Sequence, residues 1–342
     1  MVQKITFSLQ TITPLFLAGA DQTQAELRPS AFRGGMRYWY RALVGGIVGT
    51  DTEELKLVTA QEAALFGATD AGSVLRIRIP EPSLSRQRYQ RKSTDYKNIN
   101  GEDYLLWSMF PRNSAARACF PSQTTFPIII SAHDNKDDLF KRGLAAFWLL
   151  THLGGIGSRS RRCAGSLQVQ VAPDDALPIE LSFAVSPTLE ALRQQLSEGI
   201  KIARTLCGCT QPPALNRASF DVLSASTCQI WLLSDNGKPW QSPEAAMNTI
   251  GKHLHDYYRN SINNQQRKIF GLPVQNLDSH TRLPSPLHLS LKKLEGEKYV
   301  CVAVLFKTDI TIGQNRDLAD YEPIKDWIKT CFSGKSACEV GL

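Results

Sequence analysis

Near the start of the chain, apolar and polar positions alternate: Ile5, Phe7 and Leu9 are separated by Thr6, Ser8 and Gln10. A period of two predicts a half-buried strand over residues 3–12. After a loop at 13–28 the period lengthens. Arg28-Pro29-Ser30 supplies a helix start, with Pro suited to the first turn and Ser able to cap. Helical spacing continues to about Val44, where Gly45-Gly46 is expected to end the helix. Residues 53–66 read as a second helical stretch, 73–79 as a strand, 126–131 as a strand, 137–153 as a helix and 166–172 as a strand. Taking the two early helical stretches as one crossover, the order is β-α-β-β-α-β. That is the split βαβ, ferredoxin-like pattern, also the architecture of RNA-recognition domains. A second series starts near Leu177. It comprises a strand at 180–185, a helix at 187–207, strands at 219–223 and 229–233, a helix at 243–259, strands at 287–294 and 299–307, and a helix at 317–332. The expected fold class is α+β, with two ferredoxin-like (RRM-like) domains in tandem, 1–175 and a degenerate 176–342.

A chain of 342 residues exceeds what one core usually supports, in keeping with two units. Its net charge is +7 and its isoelectric point near 9.0, which favours an acidic partner, nucleic acid before membrane surface. No segment reaches the roughly 18 apolar residues that a membrane span requires. Lys4, an apolar stretch and Ala18-Gly19-Ala20 mimic a secretion signal, but the alternation of residues 5–10 and the interruption by Pro14 argue for a strand. The eight cysteines are scattered, only Cys207 and Cys209 lying close together. They form neither a disulfide framework nor a paired zinc-ligand spacing, so a reducing, cytoplasmic setting and no metal or other cofactor are expected.

Candidate chemistry concentrates in Gly154-Gly155-Ile156-Gly157-Ser158-Arg159-Ser160-Arg161-Arg162-Cys163-Ala164-Gly165. Glycines permit sharp turns and close backbone approach. Successive N–H groups in such a loop make an anion-binding concavity, and arginine forks match phosphate. A phosphate-backbone clamp through Gly154, Gly155, Gly157, Arg159, Arg161 and Arg162 is the reading; a solvated basic connector is its rival. Nucleotide motifs are excluded by context. The loop follows a helix and precedes a strand, holds no lysine, and has Ser160 where a dinucleotide fingerprint needs its third glycine.

The first helix adds Arg33, Arg37 and Arg41, four apart and so on one face. No acid on the helix compensates them, which leaves an external polyanion or a solvated basic face. Tyr38, Trp39 and Tyr40 fall between them, and an aromatic beside basic residues suits base stacking. Residues 81–104 mix Arg86, Arg88, Arg91, Lys92 and Lys97 with Tyr89 and Tyr96, and are expected to form a long, mobile insertion suited to single-stranded nucleic acid.

Together these pieces resemble the RAMP superfamily of CRISPR effector proteins, more narrowly the two-domain, end-capping RAMP subunits of the type III-B Cmr complex. The matching stretches are Thr13-Pro14-Leu15-Phe16, Gly19-Ala20-Asp21, Glu26-Leu27-Arg28-Pro29-Ser30, Arg33-Gly34, Arg37 to Leu43, Glu62-Ala63-Ala64-Leu65-Phe66-Gly67, the glycine loop, Ile269-Phe270-Gly271-Leu272-Pro273 and Arg282-Leu283-Pro284-Ser285-Pro286-Leu287. They run from Thr13 to Leu287; the final 50 or so residues add nothing diagnostic. One departure is Cys163-Ala164, where glycine is expected after the double arginine. The resemblance implies assembly with other RAMP subunits, and contact with CRISPR RNA toward its 3′ end and with the paired target RNA. In that arrangement base pairing reads sequence while protein holds backbone. Lys268 and Arg282 are candidates for a second basic patch.

The expectation is a non-catalytic RNA-binding subunit. One rival is a RAMP endoribonuclease using His152, beside the loop, as base, or Asp21, with Glu26 near, as a metal-holding loop acid. Each has a plain alternative, a core or capping histidine and a turn residue. The other rival is a protein scaffold whose basic faces meet acidic partners.

Overall fold

The computed structural model describes residues 2–80, 83–93, 99–110, 115–171, 177–212, 215, 218–271, 283–311, 314–315 and 321–342. The first series is β1 (Val2–Thr11), α1 (Pro29–Val48), α2 (Thr52–Phe66), β2 (Arg76–Arg78), β3 (Gln87–Arg88), α3 (Gly101–Leu105), β4 (Ala118–Cys119), β5 (Thr125–His133), α4 (Asp137–Leu153) and β6 (Leu167–Val171). Its four-stranded sheet is ordered β2-β5-β1-β6, every neighbour antiparallel. The second series is α5 (Leu189–Leu206), β7 (Cys228–Leu233), α6 (Pro243–Asn260), α7 (Asn264–Arg267), β8 (Leu287–Leu294), β9 (Lys298–Phe306), β10 (Ile310–Thr311), β11 (Gln314–Asn315), α8 (Glu322–Cys331) and β12 (Ala337–Val340). Its main sheet is ordered β12-β7-β9-β8, again antiparallel. Both sheets thus place their fourth strand beside the first and their third between the first and second. The architecture is α+β.

Two elements hold the molecule together. From Gly143 to Leu153 every residue of α4 is buried, because it packs against α1, α5, β5 and β6 and also against β8 and β9. A helix apolar all round is a buried helix. β9 is buried on both faces: Val300, Val302, Val304 and Phe306 join the core shared with the first series, and Cys301, Ala303 and Leu305 join the core under α6 and α8. Its continuous apolar run follows from that double covering.

Several expectations are corrected. α1 does not stop at Gly45-Gly46 but continues to Val48. A β-carbon on Gly45 would come within 2.7 Å of the Phe220 ring, and one on Gly46 within 2.3 Å of the Leu223 carbonyl oxygen. The pair opens the helix surface to a crossing segment rather than ending the helix. That segment, expected as a strand at 219–223, is a strap: Leu223 N–H donates to Ala42 O at 2.8 Å and Ser219 N–H to Thr50 Oγ1 at 3.0 Å. Ser30 lies inside α1, and the cap position is Arg28, whose side chain does not cap. The strand expected at 180–185 is reduced to one bridge, Val169 to Ala184, because Phe183 instead packs its ring 4.6 Å from Phe7 and 5.8 Å from Phe147. The strand expected at 73–79 pairs only over Arg76–Arg78. The insertion at 81–104 contains β3 and α3, and α3 packs on α6: Gly101 N–H donates to Asn248 Oδ1 at 2.8 Å. Of its residues, Tyr96 and Lys97 lie outside those described, as do residues 317–320 of the closing helix. β12 was not expected; it pairs with β7 from Ala337 to Val340.

Candidate nucleic-acid interface

The loop after α4 is fixed by its own backbone. Ile156 N–H donates to Gly165 O at 3.0 Å, Ser158 N–H to Phe16 O at 2.8 Å and Gly165 N–H to Pro14 O at 2.9 Å. Thr13 Oγ1 and Ser166 Oγ both donate to Cys163 O, at 2.5 and 2.8 Å. Residues 13–16 and the loop are therefore one hydrogen-bonded unit. Gly157 (φ 84°) and Gly165 (φ 59°) take the left-handed region, and a β-carbon would lie 2.4 Å from Phe16 O and 1.9 Å from Ile156 O. Gly154 faces the Trp39 indole and Gly155 the Gly165 carbonyl. At all four the protein's own atoms occupy the space that glycine leaves. Cys163 adopts φ 67°, the conformation glycine would favour, and its thiol is buried. Between these anchors the N–H groups of Arg159, Ser160 and Arg161 donate to no acceptor among the described residues, the local form of an anion-binding concavity.

The three loop arginines are held by carbonyl oxygens. Arg159 Nε donates to Leu105 O at 2.7 Å. Arg161 Nη1 donates to Ser285 O. Arg162 Nη2 donates to Phe270 O at 3.0 Å, while its Nη1 is buried with no partner among the described residues. Burial, then the neighbouring Arg162, pulls Arg159 down to about 10, so it stays charged at neutral pH. Two of the three reach across to the second sheet's connections, so the loop is also a junction between the two series.

On α1 the arrangement differs. Arg37 Nε and Arg41 Nε donate to the two carboxylate oxygens of Glu62 at 2.5 and 2.6 Å, and Arg37 Nη2 to Gly67 O at 3.3 Å. Burial alone would raise Glu62, but the hydrogen bonds from Arg41 and Arg37 outweigh it and hold the carboxyl below its ordinary value. The compensating acid expected from outside the chain is thus supplied by α2. Arg33 Nε is buried without a partner among the described residues. Of the three aromatics, Trp39 and Tyr40 are core. Tyr38 reaches a cleft, donating its hydroxyl to Asp221 Oδ2 at 2.7 Å and accepting from His288 Nε2 at 3.0 Å. The Arg161 guanidinium lies 5.4 Å from the centre of the Tyr38 ring and 3.6 Å from Asp221.

The remaining candidates are dispersed. Lys268 lies in a short turn after α7, and Arg282 is outside the described residues. Tyr89 is buried, its hydroxyl 3.1 Å from both Glu102 and Asp103, and is closed to base stacking. Arg86 donates to Ala25 O and Arg88 to Ala116 O. His152 is a core residue: its ring stacks 4.3 Å from Trp148, Nδ1 donates to Trp148 O at 3.0 Å, and burial with the nearby Lys292 pushes it down to about 3. Neither its position nor its basicity suits a general base. Asp21 accepts from Thr23 N–H and Oγ1 at 2.8 and 2.6 Å, a turn arrangement, and those bonds lower its pKa. No cluster of metal-ligating side chains occurs among the described residues. No helix there is long and apolar enough to cross a membrane.

Four residues of the site were not anticipated. Glu62 and Asp221 pair with the arginines and His288 holds the Tyr38 hydroxyl; Lys292, fully buried, donates to Thr151 O at 2.6 Å and Leu167 O at 3.2 Å and so ties both ends of the glycine loop to β8. The available signal for the last was the alternation Ser290, Lys292 in a strand-like run, Leu287 to Leu294, although Lys293 beside it made the pair read as a polar strand end.

Comparisons with known proteins bear on the family and the fold. The model of the RAMP superfamily matches residues 8–168. CRISPR system Cmr subunit Cmr1-2 of Pyrococcus furiosus is 33% identical over 181 residues, 48% of this chain and 94% of that protein. Subunit Cmr1-1 of the same organism is 23% identical over 309 residues, 88% of this chain and 87% of that one. In fold, the chain is similar to the crystal structure of apo Cmr1 from Pyrococcus furiosus, with TM-score 0.71, 20% identity and 99% of both chains covered. It is also similar to a chain of the type III-B Cmr-beta complex bound to cognate target RNA, with TM-score 0.64, 12% identity, and 96% and 99% covered.

Proposed function

Because this chain belongs to the RAMP superfamily, with the Cmr1 subunits of CRISPR systems, we propose that it is a non-catalytic RNA-binding subunit of a type III-B effector complex. Its RNA is CRISPR RNA toward the 3′ end, together with the paired target RNA, and its protein partners are other RAMP subunits. Both sheets are read as ferredoxin-like, in units 1–175 and 176–342 that share α4 and one face of β9. The observation that carries the reading is the loop. Three guanidinium groups donate to carbonyl oxygens, and of the three Arg161 also lies 3.6 Å from the Asp221 carboxylate, so most of their charge is oriented but not cancelled, beside three N–H groups that lack an acceptor among the described residues. Arg159, Arg161 and Arg162 are the main phosphate contacts. Gly154, Gly155 and Gly157 set the loop's path, and Arg33, Arg37, Arg41 and Lys268 extend the basic surface. Catalysis by His152 is disfavoured by its burial.

The test is incubation of the purified chain with labelled single-stranded RNA, with and without Mg²⁺, followed by native and denaturing gels. Retarded, uncut RNA is the expected outcome. Cut RNA that persists in Asp21→Ala and His152→Gln variants would require another catalytic group; the absence of any complex at low salt would favour a protein scaffold.

A further inference from the structure

The loop and α1 meet at a cleft of about 280 Å³ whose walls include Tyr38, Arg41, Arg161, Phe220, Asp221 and Pro284. Its lining divides by chemistry. Phe220 and Pro284 offer apolar surface, Arg41 and Arg161 bring two guanidinium groups, and Asp221 contributes a single carboxylate. Asp221 is built in. Its Oδ2 accepts from the Tyr38 hydroxyl at 2.7 Å, and that hydroxyl is itself held by His288 at 3.0 Å. Its Oδ1 has no hydrogen bond among the described residues, although little of the side chain is exposed. Asp221 lines the cleft, so this oxygen is an acceptor to which a ligand seated among the apolar walls can donate.

A phosphate does not suit this interior, because a carboxylate repels it. A planar, largely apolar group that donates hydrogen bonds does, with a phosphate left outside among the arginines. A nucleotide entering base first has that distribution, and single-stranded RNA presents unstacked bases at little cost.

We propose that this cleft receives one extruded nucleobase of the bound RNA, and that Asp221 Oδ1 favours a base with a donor-rich edge, guanine first and uracil last. Guanine offers N1–H and its exocyclic amine side by side. Adenine and cytosine offer an amine beside an acceptor. Uracil offers one N–H between two carbonyl oxygens, both of which face the carboxylate unfavourably. The inference rests on the RNA-binding reading and adds to it a point of base selection within an otherwise sequence-tolerant contact.

The experiment uses the full chain and a short, labelled oligouridylate, compared with the same oligomer carrying one central guanosine, adenosine or cytidine. The guanosine oligomer should bind about tenfold more tightly than oligouridylate, the discrimination expected of a good side-chain–base pair. Asp221→Asn should bring the two affinities together, and Tyr38→Phe, which removes only the hydroxyl that orients the carboxylate, should reduce the preference in part. Thermal unfolding of both variants reports whether they fold. A central 6-thioguanosine should photocrosslink to the peptide carrying Phe220 and Asp221. Equal affinities for all four oligomers, or a preference that survives Asp221→Asn, overturn the pocket while leaving RNA binding intact. Failure to bind any oligomer at low salt overturns both.

Discussion

The basic face of α1 and the loop after α4 each carry three arginines, but they are satisfied differently. On α1, Arg37 and Arg41 share Glu62, a buried acid, so much of their charge is answered within the protein. In the loop, Arg159, Arg161 and Arg162 donate to Leu105, Ser285 and Phe270 carbonyls, which fix the side chains without cancelling their charge; Arg161 alone of the three also faces an acid, Asp221, at the longer distance of 3.6 Å. A hydrogen bond to a charged group is worth roughly 1.5–3 kcal/mol either way. What separates the two is the field left over. The α1 set is mostly structural, bracing α1 against α2, whereas the loop set is both a brace between the two sheets and a source of oriented positive charge.

The same substitution in the two regions should break this comparison most sharply. Gly165→Ala drives a β-carbon against the Ile156 carbonyl at a left-handed position, and we expect it to lose about 3 kcal/mol or more, read as the urea midpoint. Gly34→Ala, on α1 with nothing within 4 Å, belongs at the opposite end of the scale.

Next is the anchor beneath the loop. Lys292 is pulled by burial from 10.5 to about 7, so above pH 7 the unfolded chain holds a proton that the folded chain does not. Stability from this group is therefore complete above 10.5 and is lost as pH falls toward 7. Between pH 7 and 9 it should contribute a rise of up to about 1.4 kcal/mol per pH unit. Above pH 9 the thiols of buried Cys119 and partly buried Cys207, both raised to about 11 by desolvation, act in the opposite sense. The difference between wild type and Lys292→Met isolates the lysine; identical pH profiles would contradict the loss of its proton on burial. His152, lowered from 6.5 to about 3, removes stability in the same direction across that lower window.

Glu62→Gln makes α1 resemble the loop. It should cost about 1–3 kcal/mol, since two half-exposed arginines lose their shared acid. RNA should at the same time bind more tightly and with a steeper salt dependence. An unchanged slope would mean that this face does not meet the polyanion. Gly34→Ala should be neutral or stabilise by up to about 1 kcal/mol, the helix-propensity gain; a loss larger than that would reveal a partner for the exposed helix surface.

Much of this was legible because periodicity reports burial. Helix Asp137–Leu153 and strands Leu287–Leu294 and Lys298–Phe306 follow from apolar runs bounded by polar turns. What escaped depends on contacts between distant segments. Gly45-Gly46 reads as a helix stop unless Phe220 and Leu223 are known to cross there. The acid that answers Arg37 and Arg41 lies on another helix, beyond any local charge count. Strand Ala337–Val340 is a short edge whose only signal is its pairing with β7. At the site, the three arginines marked the loop, but Asp221 and His288 came together with it only through the fold.

The central claim is that the loop, more than α1, meets RNA phosphates. It is tested most directly by binding of labelled single-stranded RNA across a salt series, comparing wild type, Arg161→Ala/Arg162→Ala and Arg37→Ala, with folding checked in each. The loop variant should bind more weakly and flatten the log–log slope by roughly 0.7 per lost contact, about twice that for the pair. Arg37→Ala should move it little. A loop variant with the wild-type slope, or an Arg37 variant with the larger loss, would contradict the account.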